Sequence, residues 1–297
     1  MAQLRDIKRR IGSVKSTQKI TRAMELIASS RIIRAQQRVE AARPYAEEMR
    51  KLMSSVAKNA GSVDHPLLRK RDSVGTVGTI VLSADRGLAG AYNSNVIRAA
   101  ERDMADHDDT KLFLVGKKAL SYFKFRGYDY ADSWQGMSDQ PSIEDARTVA
   151  QTAAKAFSEG EVDEVRLVYT KFESAFTQRP AVVNLLPVPK EDLEEDEDDA
   201  QRPQYEFEPA PEEILDYLLP RYIEGAVYQG LLEAAASEHA ARRRAMKAAT
   251  DNAEELIENL TRVYNQARQA EITTEIMEVV GGAEALGAAA KAAKQER

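Results

Sequence analysis

From Met246 onward, Met246, Ala249, Ala253, Leu256, Leu260, Val263, Ala267, Ala270, Thr274 and Met277 follow one another in alternating steps of three and four. That spacing keeps one stripe of a helix turned toward a partner and predicts the seam of a left-handed coiled coil. Pro211, followed by Glu212 and Glu213, has the form of a helix start. Proline suits the first helical position, and carboxylates favour the positive end of the helix dipole. Beyond Pro220 nothing forces the helix to stop before Gly281 and Gly282. A helix from Pro211 to Val280 would be on the order of 100 Å long, several times the diameter of a small domain, so no compact core can enclose it.

The other end of the chain offers a partner. No glycine stands between Gly12 and Gly61, and Leu4, Ile7, Ile11 and Val14 begin the same three-and-four spacing. Strict heptads then meet Gln18, Thr21 and Glu25 before apolar residues return at Ala28, Ile32, Ala35 and Val39, while Ile20, Met24 and Ile27 form a neighbouring stripe. The seam is expected to slip or to turn polar in its middle. Pro44 is a candidate kink. Two long helices separated by a compact domain pair most simply with each other, antiparallel. The first of them is basic: Arg5, Lys8, Arg9, Arg10, Lys15, Lys19, Arg22, Arg31, Arg34, Arg38 and Arg43 face only Asp6, Glu25 and Glu40. Such a helix can bind nucleic acid, a membrane surface or an acidic protein channel, and the sign alone does not choose.

Between the helices the period changes. VGTIVLS is a short β-branched run, followed by the turn DRGLAG and the helix-like NSNVIRAAERDMA; KLFLVG with KKALSYFKFRG repeats the pattern, and a helix over Ser142 to Ser158 leads into DEVRLVYTKF. This alternation predicts an α/β fold: a Rossmann-like domain with a largely parallel sheet and a final hairpin through AVVNLLPV. The expected organisation is a coiled-coil helix over 1–60, the α/β domain over 73–208, a second coiled-coil helix over 211–286 and a tail over 287–297. The acidic run Glu191 to Asp199 reads as a solvated linker.

No stretch approaches the roughly 18 to 20 apolar residues of a membrane-spanning helix, and MAQLRDIKRR is charged where a secretion signal would be apolar, so direct membrane insertion is not expected. With no cysteine, disulfides, thiolate nucleophiles and thiol switches are excluded. His65, His107 and His239 stand in no metal-ligand spacing. No catalytic, metal or cofactor site is expected. Two rival readings remain. A nucleotide-binding α/β protein would rest on the DRGLAG turn, which lacks both GxGxxG and the GK[ST] ending of a phosphate loop. A basic coiled-coil protein that binds nucleic acid would carry basic region and zipper on one continuous helix, whereas here a whole domain intervenes.

The segments IGSVKSTQKITRAMELIASSRIIRAQ, ADRGLAGAYN and AMKAATDNAEELIENLTRVYNQARQAEITTEIMEVVGGAEA resemble, in this order, the gamma subunit family of F-type ATP synthases. The last is the most specific, with Ile272, Thr273, Glu275, Glu278, Val280, Gly282, Ala283 and Ala285 following the family's terminal signature. The resemblance implies a non-catalytic rotor shaft, its paired helices inside a ring of alpha and beta subunits and its α/β domain beside the epsilon subunit and the proton-driven c-ring. It implies no nucleic-acid partner, and it leaves the choice between H+ and Na+ as coupling ion open. It also implies that Met24, Arg268, Gln269, Thr273, Glu275 and Glu278 meet the alpha and beta subunits, and that Tyr205, Phe207 and Glu208 form the foot on the c-ring and epsilon. With no transit segment, a bacterial complex on the cytoplasmic side of the plasma membrane is expected.

Overall fold

The computed structural model describes residues 2–59, 65–71, 73–189 and 211–295. Two long helices, α1 (Ala2–Asn59) and α5 (Pro211–Gln295), flank a five-stranded sheet. The chain divides into two compact units. The larger spans Leu26–Ala245, and the smaller joins the outer stretches of the two helices, α1 up to Glu25 and α5 from Met246. The division thus falls inside both helices rather than at the expected boundaries near 60, 73 and 208. Its cause is apolar burial: the inner stretches of α1 and α5 belong to the core of the sheet.

In the larger unit the strands are β1 (Thr76–Leu82), β2 (Asp109–Val115), β3 (Tyr130–Trp134), β4 (Glu164–Phe172) and β5 (Gln178–Leu186). Their order is β3-β2-β1-β4-β5, all parallel except the β4-β5 hairpin. The helices between them are α2 (Tyr92–Ala105), α3 (Lys117–Phe125) and α4 (Ile143–Ser158). Side chains alternate across the strands, so β1, β2 and β4 each feed two cores. Ile80, Leu82, Phe113, Val115 and Leu167 pack with α4 and with Met49, Met53, Leu219 and Ile223 of the long helices. Val81, Leu112, Leu114 and Val168 pack with Val96 and Ile97 of α2 and Phe123 of α3 on the other face. Strand β3 is not announced by its periodicity: it is a five-residue edge whose first three residues are exposed.

Local chemistry explains the joints. Ser142 caps α4 in a capping box with Asp145, each side chain satisfying an end amide of the other. Gly116, with φ of 92°, turns the chain between β2 and α3 where a Cβ would lie 2.2 Å from the Ser83 carbonyl oxygen. At the far end, α5 does not stop at Gly281 and Gly282 but continues to Gln295. Two glycines weaken a helix by about 1 kcal/mol each, and the alanine-rich residues that follow favour helix more than any other type. The acidic run 191–199 and the expected foot residues Tyr205, Phe207 and Glu208 lie outside the described residues.

Candidate functional site

In the smaller unit the α1 residues Leu4, Ile7, Ile11, Val14, Gln18 and Glu25 are half-buried and Thr21 is buried, while Ile20 is 61% exposed. The heptad phase therefore continues unbroken and the seam turns polar instead of slipping to the neighbouring stripe. Thr21 and Thr250 join hydroxyl to hydroxyl at 2.8 Å, and each also donates to its own helix, Thr21 to the Gln18 carbonyl and Thr250 to the Met246 carbonyl. The three bonds share two hydroxyl protons, so the donors alternate, and a buried polar pair stays satisfied without disturbing the register.

On α5 the less exposed residues are Met246, Thr250, Ala253, Ile257, Leu260, Tyr264, Ala267 and Glu271, with Ala249 half-buried beside Thr250. The steps run four and three where three and four were expected. Leu256 and Val263 are each 47% exposed, so the seam passes through Ile257 and Tyr264 in their place. Two adjacent apolar stripes run down this helix, and its own spacing cannot choose between them. The partner chooses: with Thr21 beside Thr250 and the helices antiparallel, Val14 stands level with Ile257 and Ile7 with Tyr264.

Arg268, Gln269, Thr273, Glu275 and Glu278 are all exposed, and Met24 is half-buried. The Thr273 hydroxyl donates to the Gln269 carbonyl at 2.9 Å. Met24 does not join this group. It stands near the start of the α5 stretch of this unit, and Arg268 lies roughly 30 Å further along the coil. In the register set by Thr21 and Thr250, α1 begins near the level of Glu271, so the helix beyond has no partner from α1. There Ile276, Met277, Val279 and Val280 are all exposed, on several sides of the helix.

The larger unit holds a polar cluster that periodicity did not reveal. Arg242 of α5 donates to Glu238 at 2.6 Å and to the Gly87 carbonyl at 3.2 Å, pinning the DRGLAG turn to the helix. Burial pushes the Glu238 carboxyl up despite Arg242. Beside it, His239 is 2% exposed, and burial pushes its imidazole down to about 4 against the attraction of Asp139, which itself pairs with Arg31 at 2.5 Å. The signal was present in AAASEHAARRR, where opposite charges four residues apart interrupt an alanine-rich stretch. In the turn itself, the Asp85 carboxylate accepts N–H bonds from Gly136, Ser138 and Lys117 at 2.9, 3.2 and 3.1 Å. Burial pushes this carboxyl up, but the hydrogen bonds together outweigh it and hold it below the ordinary range. The chain's own carboxylate thus ties this turn to the start of α3 and to the loop at Gly136 and Ser138.

A family model for ATP synthase matches residues 3–286. An ATP synthase gamma chain from Acidothermus cellulolyticus is 51% identical over 294 residues, covering 96% of this chain and 97% of the relative. One from Saccharopolyspora erythraea is 48% identical over 307 residues, covering 97% and 99%. The chain belongs to the ATP synthase gamma-chain family. Solved structures share the gamma-chain fold: a chain of the Tetrahymena thermophila mitochondrial ATP synthase central stalk and c-ring has a TM-score of 0.58 at 25% identity, covering 77% of this chain and 99% of that one. A chain of the Euglena gracilis mitochondrial ATP synthase rotor reaches 0.67 at 19% identity, covering 91% and 99%, a likeness of fold alone.

Proposed function

We propose that this chain is the central rotor shaft of an F-type ATP synthase, transmitting torque between a proton-driven c-ring and the catalytic alpha and beta subunits while doing no chemistry itself. The observation that carries the reading is the α5 end of the smaller unit. Ile276, Met277, Val279 and Val280 are exposed where α1 offers no partner. Four large apolar side chains exposed so close together on an unpaired stretch of helix point to an interaction surface. Exposed Arg268, Gln269, Thr273, Glu275 and Glu278 stand on the same stretch and are positioned to bond with that surface at some angles and not at others. Each angle must then stabilise a different conformation of each catalytic subunit, which is what coupling requires.

The α/β domain is the part that meets the epsilon subunit and the c-ring in this reading, with Tyr205, Phe207 and Glu208 in the foot. The complex sits peripherally on the cytoplasmic side of a bacterial plasma membrane. In keeping with this, no described helix is long and apolar enough to cross a membrane. The test is reconstitution from separately prepared subunits. Mixing the chain with alpha and beta subunits is expected to yield a stable ATP-hydrolysing complex containing a single copy of it. Failure to enter the complex, or entry in several copies, would overturn the shaft.

A further inference from the structure

We propose that the larger unit carries a binding cleft for a compact oxyanion of the phosphate class, at the switch point of its sheet. A cleft of about 380 Å³ opens there between the first turn of α2, the end of β4 and α5. β2 and β3 lie to one side of β1 and β4 to the other, with α2 and α3 on one face and α4 on the opposite one. Open α/β sheets bind ligands beyond the carboxyl ends of their strands where the order reverses in this way. The end of the DRGLAG turn, Ala89 and Gly90, forms part of its wall.

Three features give the cleft its anion character. The first turn of α2 has no side-chain cap, and Gly90, Ala91 and Tyr92 line the cleft, so the positive end of the helix dipole faces it. Thr170 stands on the same face of β4 as Val168 and Arg166, which meet α2 through Ile97 and Asp103, so its side chain is aimed toward the start of that helix. Thr170 is 5% exposed and lines the cleft, yet its hydroxyl has no hydrogen-bond partner, an arrangement that costs free energy unless a ligand completes it. At the rim, Arg244 donates only to neutral oxygens, the Ala175 carbonyl at 3.1 Å and Gln178 Oε1 at 2.5 Å. No aspartate or glutamate lines the cleft.

Calorimetry and thermal melts of the purified full chain, titrated in parallel with inorganic phosphate and with ADP, test the site. Saturable binding that raises Tm is expected. Tighter binding of ADP would assign the site to a nucleotide's terminal phosphate, and equal or weaker binding of ADP to free phosphate; either supports the cleft. Thr170→Val removes the hydroxyl at nearly constant volume. It is expected to raise the Tm of the free chain while weakening the anion at least about tenfold, a combination that a purely structural hydroxyl would not produce. Arg244→Gln is expected to weaken binding to a similar degree with Tm unchanged. Arg179→Gln, an exposed cation outside the cleft lining, should bind as the parent does. Absence of saturable binding by either probe, full affinity in Thr170→Val or Arg244→Gln, or equal weakening in Arg179→Gln would overturn the proposal.

Discussion

His239 is the residue whose chemistry depends most on its surroundings. Its Nε2 lies 3.5 Å from the Asp139 carboxylate, its Nδ1 has no partner, and burial lowers it to about 4. The unfolded chain takes up this proton near the ordinary value of about 6.5, the folded chain only near 4, so the unfolded state gains protons first as pH falls. The stability His239 confers is therefore complete above about pH 6.5 and lost as pH falls toward 4. Glu238, raised by burial, works in the opposite sense, so the informative quantity is a difference between proteins. Between pH 7 and 4.5 the parent is expected to lose about 2 kcal/mol more than His239→Gln in urea melts. Equal losses would mean that the imidazole titrates normally. In the sequence His239 was legible only as a histidine without metal-ligand spacing; its burial against Asp139, a hundred residues away, belongs to the fold.

At the scale of elements, both long helices and four of the five strands follow from periodicity, because a repeat of 3.6 or of 2 is written locally in the chain. The phase of the α5 seam is not. Leu256 with Val263 and Ile257 with Tyr264 make two apolar stripes one residue apart, and only the partner helix separates them. Ile257→Asp, which sets a charge in the half-buried stripe, is expected to cost about 2 to 4 kcal/mol and to lower assembly with alpha and beta subunits. Leu256→Asp, at a residue 47% exposed, is expected to cost under about 1 kcal/mol in melts of the free chain. The reverse ranking would restore the three-and-four phase. Strand β3 carries no periodic signal for a related reason: an exposed edge strand has no core to impose alternation.

For the whole molecule, the proposed task is transmission, and its test is kinetic. Arg268 and Gln269 are exposed next to Ala267, the half-buried residue that turns them outward. A guanidinium bonded to a partner can contribute roughly 1.5 to 3 kcal/mol, enough to bias one conformation tenfold or more. Replacing both residues with alanine should lower steady-state turnover or assembly and leave nucleotide affinity at a single occupied catalytic site nearly unchanged. Parental turnover in a normally assembled complex would make them bystanders. Met24, roughly 30 Å from them along the coil, should then act on a different contact, and its substitution should not be rescued by changes at Arg268.

What the amino-acid sequence determined by itself was whatever depends on neighbours within a few turns. That includes helices too long for any core, the α/β alternation and the absence of thiol chemistry. The order of the strands, the pinning of the DRGLAG turn by Arg242, the unpartnered Thr170 and the choice of Ile257 over Leu256 were decided only in the tertiary structure. The reason is physical. Propensity and periodicity act over a few residues, whereas burial and hydrogen-bond satisfaction depend on groups that only the folded chain brings together.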